Sequence, residues 1–357
     1  MVTAAALKAQ ARAIGFDLCG IAPVGAFPEL SRLESWLENG HAGSMDYLAR
    51  SADARRDVRR VMPSARSVIV TGTLYNTDRA YSTAIDDPAT ARVARYAWGD
   101  DYHDVLAARL DRLVGWMRAE SETTFDARAY VDTGPVQERV YAQYGGLGWI
   151  GKNTCLINPE LGSWLFLAEI VCSLELETDR PGTDHCGTCR RCLEACPTGA
   201  LVEPAVLDAT RCLSYLTIEH RDVIPEALRP SMGPYVFGCD ICQDVCPWNR
   251  DAPISTDPHW LPREALDRPR TRDLFERSDA ALRDIVRGGA MMRASGSRLR
   301  RNLAVALGCS DDPAALDPLA AALGPDAAFD APTLADPLVQ DHVVWALRRL
   351  GHDDDEG

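Results

Sequence analysis

Two cysteine runs near the middle of the chain limit what it can become more than any other feature. Cys186, Cys189, Cys192 and Cys196 follow a C-x2-C-x2-C-x3-C spacing with Pro197 directly after. Cys239, Cys242 and Cys246 are closed by Pro247, and Cys212 stands alone upstream. This is the bacterial pattern for [4Fe–4S] ligation, in which the fourth cysteine of a run serves the other cluster of a pair. On that rule Cys186, Cys189, Cys192 and Cys246 would hold one cluster, and Cys196, Cys212, Cys239 and Cys242 the second. Two four-cysteine zinc sites are the alternative, but zinc sites usually separate two C-x2-C knuckles by a longer loop. Read this way, the segment is built to carry electrons.

At 357 residues, 46% hydrophobic and 25% charged, the chain has an ordinary globular composition and room for two or three domains. No apolar run approaches the roughly 20 residues of a membrane span. Residues 1–14, with Lys8 and Arg12 as their charges, read as an amphipathic helix without an export signal. Reduced thiols in that setting predict a cytoplasmic protein. Cys19, Cys155, Cys172 and Cys309 remain, each among apolar neighbours, and are expected to be buried free thiols. The net charge of −14 argues against nucleic-acid binding over the whole surface. Yet residues 268–301 hold ten arginines against four acids, an excess of six, offset elsewhere by acids that include a tail at 353–356.

The apolar pattern predicts a helix over 4–14 with Gly15 as its cap, and strands over 16–22 and 67–74. Leu30, Leu33, Trp36 and Leu37 share a helical face. Val105, Leu106, Leu110, Leu113, Val114 and Met117 form the stripe of a helix over 101–120. A strand over 127–131 should end at Asp132, after which Pro135 opens a helix running to about Tyr144. Beyond the cluster ligands and a proline-rich connector, the chain is helical. There Leu303, Val305, Ala306 and Leu307 recur as Val343, Trp345, Ala346 and Leu347, a HEAT-type period of 40 residues. The expected architecture is α+β in three parts: an α/β domain over 1–178, a ferredoxin-like domain over 179–255 and a HEAT-like helical domain over 268–357.

Asp132 would lie at the C-terminal end of a strand, where open α/β folds place their ligands. The glycines from Gly145 to Gly151 let backbone approach a bulky ligand, though their spacing is neither a dinucleotide fingerprint nor a P-loop. Spacing alone leaves a ligand loop and a tight turn equally open. Four segments in order nonetheless resemble the epoxyqueuosine reductase family. These are Asp132-Thr133-Gly134-Pro135, Gly148-Trp149-Ile150-Gly151-Lys152-Asn153, the two cysteine runs, and Leu216-Thr217-Ile218-Glu219-His220-Arg221.

The resemblance implies removal of the epoxide oxygen from epoxyqueuosine at the tRNA wobble position. It implies cobalamin, as cob(II)alamin without a histidine on cobalt, over the N-terminal domain. Electrons would reach it through the two clusters from an external one-electron donor protein, with the helical tail helping to hold the anticodon stem-loop; a monomer is expected. Carried over by residue, Asp132 matches the proton donor. Arg55, Lys152, Asn153, Ser163 and Ser214, with Asp132, match cobalamin contacts, and Tyr102, His103 and Arg139 the substrate pocket. His220 and Arg221 look placed for tRNA. Arg298 and Arg301 join them, because Leu299, Leu303 and Leu307 would face inward and leave these two arginines outside for phosphates. A donor role for Asp132 runs against the dipole of a helix opening at Pro135, so burial by corrin and substrate would have to raise its pKa. The rivals are a cytoplasmic reductive dehalogenase with the same cofactors, and a ferredoxin-type carrier without enzymatic activity. The missing export signal and the arginine-rich tail count against the first. Asp132 and its glycine loop would be idle in the second.

Overall fold

The computed structural model describes residues 2–294, 296–324 and 331–351; the acidic tail at 353–356 lies outside them. The N-terminal part is built on a four-stranded sheet of β1 (Leu18–Pro23), β2 (Ser67–Leu74), β3 (Ala127–Tyr130) and β4 (Leu165–Cys172), in the spatial order β1-β2-β4-β3. Strand β2 is rich in β-branched residues and buried along its whole length, as a central strand should be. Successive side chains point to opposite faces. Ile21, Ile69 and Ile170 therefore pack towards helices Ala4–Ile14 and Tyr102–Glu120. Val68, Val70, Leu167 and Val171 pack on the other face with Val140 of helix Glu138–Tyr144.

The expected α/β character of this domain needs correction. Strand β3 runs in the same direction as β2, but β4 inserts between them, so every neighbouring pair is antiparallel. The strand-end rule for parallel sheets thus does not explain where Asp132 sits. The helix expected from Pro135 begins only at Glu138. Asp132 has φ +57°, a left-handed backbone that turns the chain out of β3, and Pro135 falls within the resulting turn. Aspartate is among the few side chains that tolerate this region.

At the other end, helices Ser297–Gly308 and Pro337–Gly351 carry the 40-residue recurrence and pack on each other. Leu303, Val305, Ala306, Val343 and Ala346 are all buried there. This core also takes in Leu213, Leu216, Val236 and Phe237 from the cluster segment, so the tail and the cluster loops share one apolar interior. No helix among the described residues is long and apolar enough to cross a membrane. The two tail helices meet so closely that a Cβ on Gly308 would lie 2.8 Å from the Ala346 Cα. Gly308→Val should therefore destabilise the protein by about 1–3 kcal/mol, measured as a lower denaturation midpoint of the anaerobic holoprotein.

Candidate active site

Helix Tyr102–Glu120 starts at an Asp101 cap whose carboxylate accepts the His103 backbone N–H at 3.1 Å. That start aims Tyr102 and His103 at the turn after β3. The Tyr102 hydroxyl donates to Asp132 Oδ2 at 3.0 Å, and His103 Nε2 lies 3.5 Å from the same oxygen. His103 Nδ1 is 2.7 Å from Asp101 Oδ1. The Tyr102 ring stacks on His103 and on Phe166 of β4, with centroids 4.1 and 4.6 Å apart, which fixes the hydroxyl's direction. Burial works against a charge on His103, but the two flanking carboxylates outweigh it and push the imidazole up to about 9. Burial likewise works against the Asp132 charge. The bonds from His103 and Tyr102 prevail and hold its carboxyl below the usual range. At neutral pH the pair is thus an imidazolium beside a carboxylate, with the Asp132 side chain still half exposed.

Asp132 faces a cavity of about 340 Å³ between the sheet and the cluster loops. Its walls are apolar at Leu165, Phe166 and Tyr96 and polar at Asn153, Arg139 and Ser214. A second cavity of about 610 Å³ shares Tyr102, Asp132 and Ser214 with it and reaches Glu219 and Arg293. Cys196, Cys212, Cys239 and Cys242 also line the first cavity, and among the described residues no histidine does. Broad apolar walls with a few polar side chains and thiols on one side suit a flat, redox-active macrocycle.

The cysteines sort themselves in space. Cys192 feels the charges of Cys186 and Cys189, and Cys246 those of Cys186 and Cys192. Cys239 feels Cys212 and Cys196, and Cys242 feels Cys239 and Cys212. Helices Arg191–Ala195 and Ile241–Asp244, one from each run, pack together and cross the two sets. Cys155, expected to be a buried free thiol, is a free thiol that lies on the cavity wall within hydrogen-bonding reach of Cys242. Among the described residues, no three His, Cys, Asp or Glu side chains gather as a single ion would require.

Several expected contacts lie elsewhere. The Lys152 ammonium donates to the carbonyls of Gly187 and Cys189, at 2.6 and 2.9 Å, and so braces a cluster loop rather than the cavity. Ser163 is buried against Gln243 and Asn249. Arg55 donates to Ser51 and to the Val136 carbonyl, behind the Asp132 turn. Asn153 and Ser214 do line the cavity, and Arg139 does so while donating to the Thr154 carbonyl. The outward Arg301 is overturned. It is fully buried, and its guanidinium holds the carbonyls of Leu216, His220 and Asp222. Helix Ser297–Gly308 is enclosed on every side from Leu299 onward, so the leucine stripe does not leave the opposite face to water. Arg298 is half-buried and donates to Ile218, with Arg221 and Arg293 close by. Arg221 is exposed, and His220 contacts the Val223 carbonyl.

A family model for epoxyqueuosine reductase QueG matches residues 55–133, and one for a 4Fe-4S double cluster binding domain matches residues 185–249. The epoxyqueuosine reductase of Gloeobacter violaceus is 46% identical over 87% of this chain and 97% of its own length. That of Escherichia coli is 37% identical over 94% and 86%. The chain belongs to the epoxyqueuosine reductase family. A crystal structure of epoxyqueuosine reductase with an epoxyqueuosine-modified tRNA-Tyr stem loop superposes with a TM-score of 0.86, at 29% identity over 97% of this chain and 90% of that one. A Bacillus subtilis epoxyqueuosine reductase superposes at 0.83 with 27% identity, over 97% and 98%. The protein is accordingly an oxidoreductase that reduces epoxyqueuosine to queuosine in tRNA, with a double [4Fe–4S] cluster domain.

For an epoxyqueuosine reductase, the sequence reading missed Asp101, Glu138 and Glu169. The first was visible as a helix cap, and the last as a lone acid in the apolar run Leu165–Cys172. Cys212→Ala should remove one cluster and leave the other, lowering iron in anaerobically purified protein from about eight to about four atoms per chain.

Proposed function

We propose that Asp132 delivers the proton that the epoxide oxygen takes up as the ring opens. One observation carries this reading: its carboxylate occupies the same cavity wall system as Cys196, Cys212, Cys239 and Cys242. Removing an epoxide oxygen as water consumes two electrons and two protons, and an acid at oxygen lowers the barrier. Cobalamin, when bound, supplies the reducing chemistry at carbon. Tyr102 orients the Asp132 carboxyl, and His103, cationic below a pH of about 9, holds a proton beside it. Covering the half-exposed carboxylate with substrate strengthens the desolvation that already opposes its charge, and so draws that proton across. Asn153, Arg139 and Ser214 hold the cofactor. A structure of the Bacillus subtilis enzyme with an aspartate-bearing catalytic loop swung out of the active site supports a mobile donor.

Cys196, Cys212, Cys239 and Cys242 bind the cluster next to the cofactor. Cys186, Cys189, Cys192 and Cys246 bind the outer one, where an external donor protein delivers single electrons. The tail is HEAT-like and steadies the tRNA, with phosphate contacts from Arg221, Arg293 and Arg298 near the mouth of the larger cavity. Cytoplasmic tRNA is the substrate pool that fits these parts.

Asp132→Asn should retain both clusters and bound cobalamin and lose turnover by roughly 10²–10⁴-fold; near-normal turnover would move the donor role to His103 or Tyr102. Arg221→Glu with Arg293→Glu should weaken binding of an epoxyqueuosine-modified stem loop. It should also flatten the salt slope by roughly 0.7–0.9 per lost phosphate contact. An unchanged slope would place the RNA elsewhere.

A further inference from the structure

The Asp132 backbone N–H donates to Glu138 Oε1 at 2.6 Å. This bond holds the residue in its left-handed conformation, and so holds the carboxyl towards the cavity. Behind Glu138 lies Glu169 of β4, fully buried on the face that otherwise carries Leu167 and Val171. Both Glu169 carboxyl oxygens are shielded from water and meet no N–H or hydroxyl donor. The group within hydrogen-bonding reach of them is the Glu138 carboxyl itself. Two carboxylates cannot bond to each other, whereas a carboxylic acid and a carboxylate can. Leaving Glu169 ionised and unpaired in that apolar layer would carry a large desolvation penalty.

We propose that Glu138 and Glu169 share one proton and together act as a positioning latch for the Asp132 turn, which releases when that proton is lost. The proposal rests on the reading of Asp132 as proton donor and adds what holds it in place. Of the charged and titratable groups around the pair, Asp132 faces Glu138 from the turn, Arg139 from the same helix and Arg55 from helix Ala52–Arg56. Tyr141 lies near Glu169 from helix Glu138–Tyr144. Neither arginine neutralises the pair by contact, since Arg55 bonds to Ser51 and Val136 and Arg139 to Thr154. Burial, and next the Asp132 charge, push Glu138 up to about 7; burial and the Glu138 charge push Glu169 upward as well. Both shifts are upward, and Glu169 is held well above Glu138, so the proton lost near 7 leaves Glu138 ionised against protonated Glu169, and the shared proton stays on the pair until the pH rises well beyond that. Once it is lost, two facing carboxylates repel, and Glu138 moves off the Asp132 N–H.

The test uses the full-length holoprotein without RNA. Hydrogen exchange at 131–136 should show protection that persists as pH rises through about 7 and falls only at higher pH in the native protein. Infrared difference spectra should show a protonated-carboxyl band that survives above 7 and is lost over that same higher range. Glu169→Gln can donate an amide N–H to ionised Glu138, so it should keep the protection across that range and lack the band. Glu138→Leu removes the acceptor and should lower protection about tenfold at every pH. With a modified stem loop, turnover by the native protein should be kept as pH rises through about 7, since the shared proton is still on the pair. Protection in Glu169→Gln that follows the native pH curve, or a carboxyl band that survives the substitution, overturns the latch. Normal exchange and infrared behaviour in a protein that leaves the modified stem loop unreduced would instead overturn the proton-donor reading and support the latch as a structural device.

Discussion

Backbone carbonyls in irregular segments, answered by buried donors, hold this structure together where regular elements are few. Lys152 caps Gly187 and Cys189, Arg301 caps Leu216, His220 and Asp222, and Asn302 caps Thr217 and Val236. Arg95, beneath Trp164 and Trp98, does the same for Thr77 and Arg79. A buried carbonyl left without a donor costs about 1–3 kcal/mol, and a charged donor makes the stronger bond. The cluster segment has short helices and short strands, so its loops cannot satisfy themselves through a ladder. They take donors from the sheet domain on one side and from the helical tail on the other. The course of these loops therefore depends on residues more than 30 positions away in sequence.

That dependence explains what could and could not be read from the chain. Ligand spacing in Cys186–Cys196 is local, and so was legible, as were helix Ala4–Ile14 and the stripe on helix Tyr102–Glu120. Strand β2 was legible from its β-branched run, but its neighbours were not, because insertion of β4 between β2 and β3 is a long-range pairing with no local signal. The arginines misled for a related reason. A guanidinium beside an apolar stripe suggests a wet face, yet Arg300 and Arg301 are at 0% exposure because carbonyls wait for them inside. Lys152 and Ser163 were placed near the right cavity, but their bonds run to cluster-loop backbone and to Gln243 and Asn249.

The electrostatics at Asp132 also depart from expectation. The dipole argument assumed a helix opening at Pro135; the helix instead begins at Glu138, whose carboxyl accepts the Asp132 N–H. What lowers the Asp132 pKa is the His103 and Tyr102 contacts, while the Asp101 and Asp132 carboxylates raise His103 to about 9. On the proton-donor reading proposed above, Asp132 is therefore charged at rest with a proton stored one contact away. A carboxylic acid left open to water would exchange its proton freely. Charge neutralisation of the pair becomes favourable only when water is excluded, so arrival of the substrate itself can set the moment of transfer.

Thiols and carboxyls line one cavity. Cys196, Cys212, Cys239 and Cys242 come to it from the loops at 196–242, Asp132 from the turn after β3 and Glu138 from the helix that follows. Keeping the Asp132 turn on a backbone hydrogen bond rather than inside a helix lets the carboxyl move without disturbing the cluster loops, whose carbonyls are fixed by Lys152, Arg301 and Asn302. Rigidity is thus concentrated where electron transfer needs fixed distances. Freedom is left at the Asp132 turn, where the proposed proton donor sits.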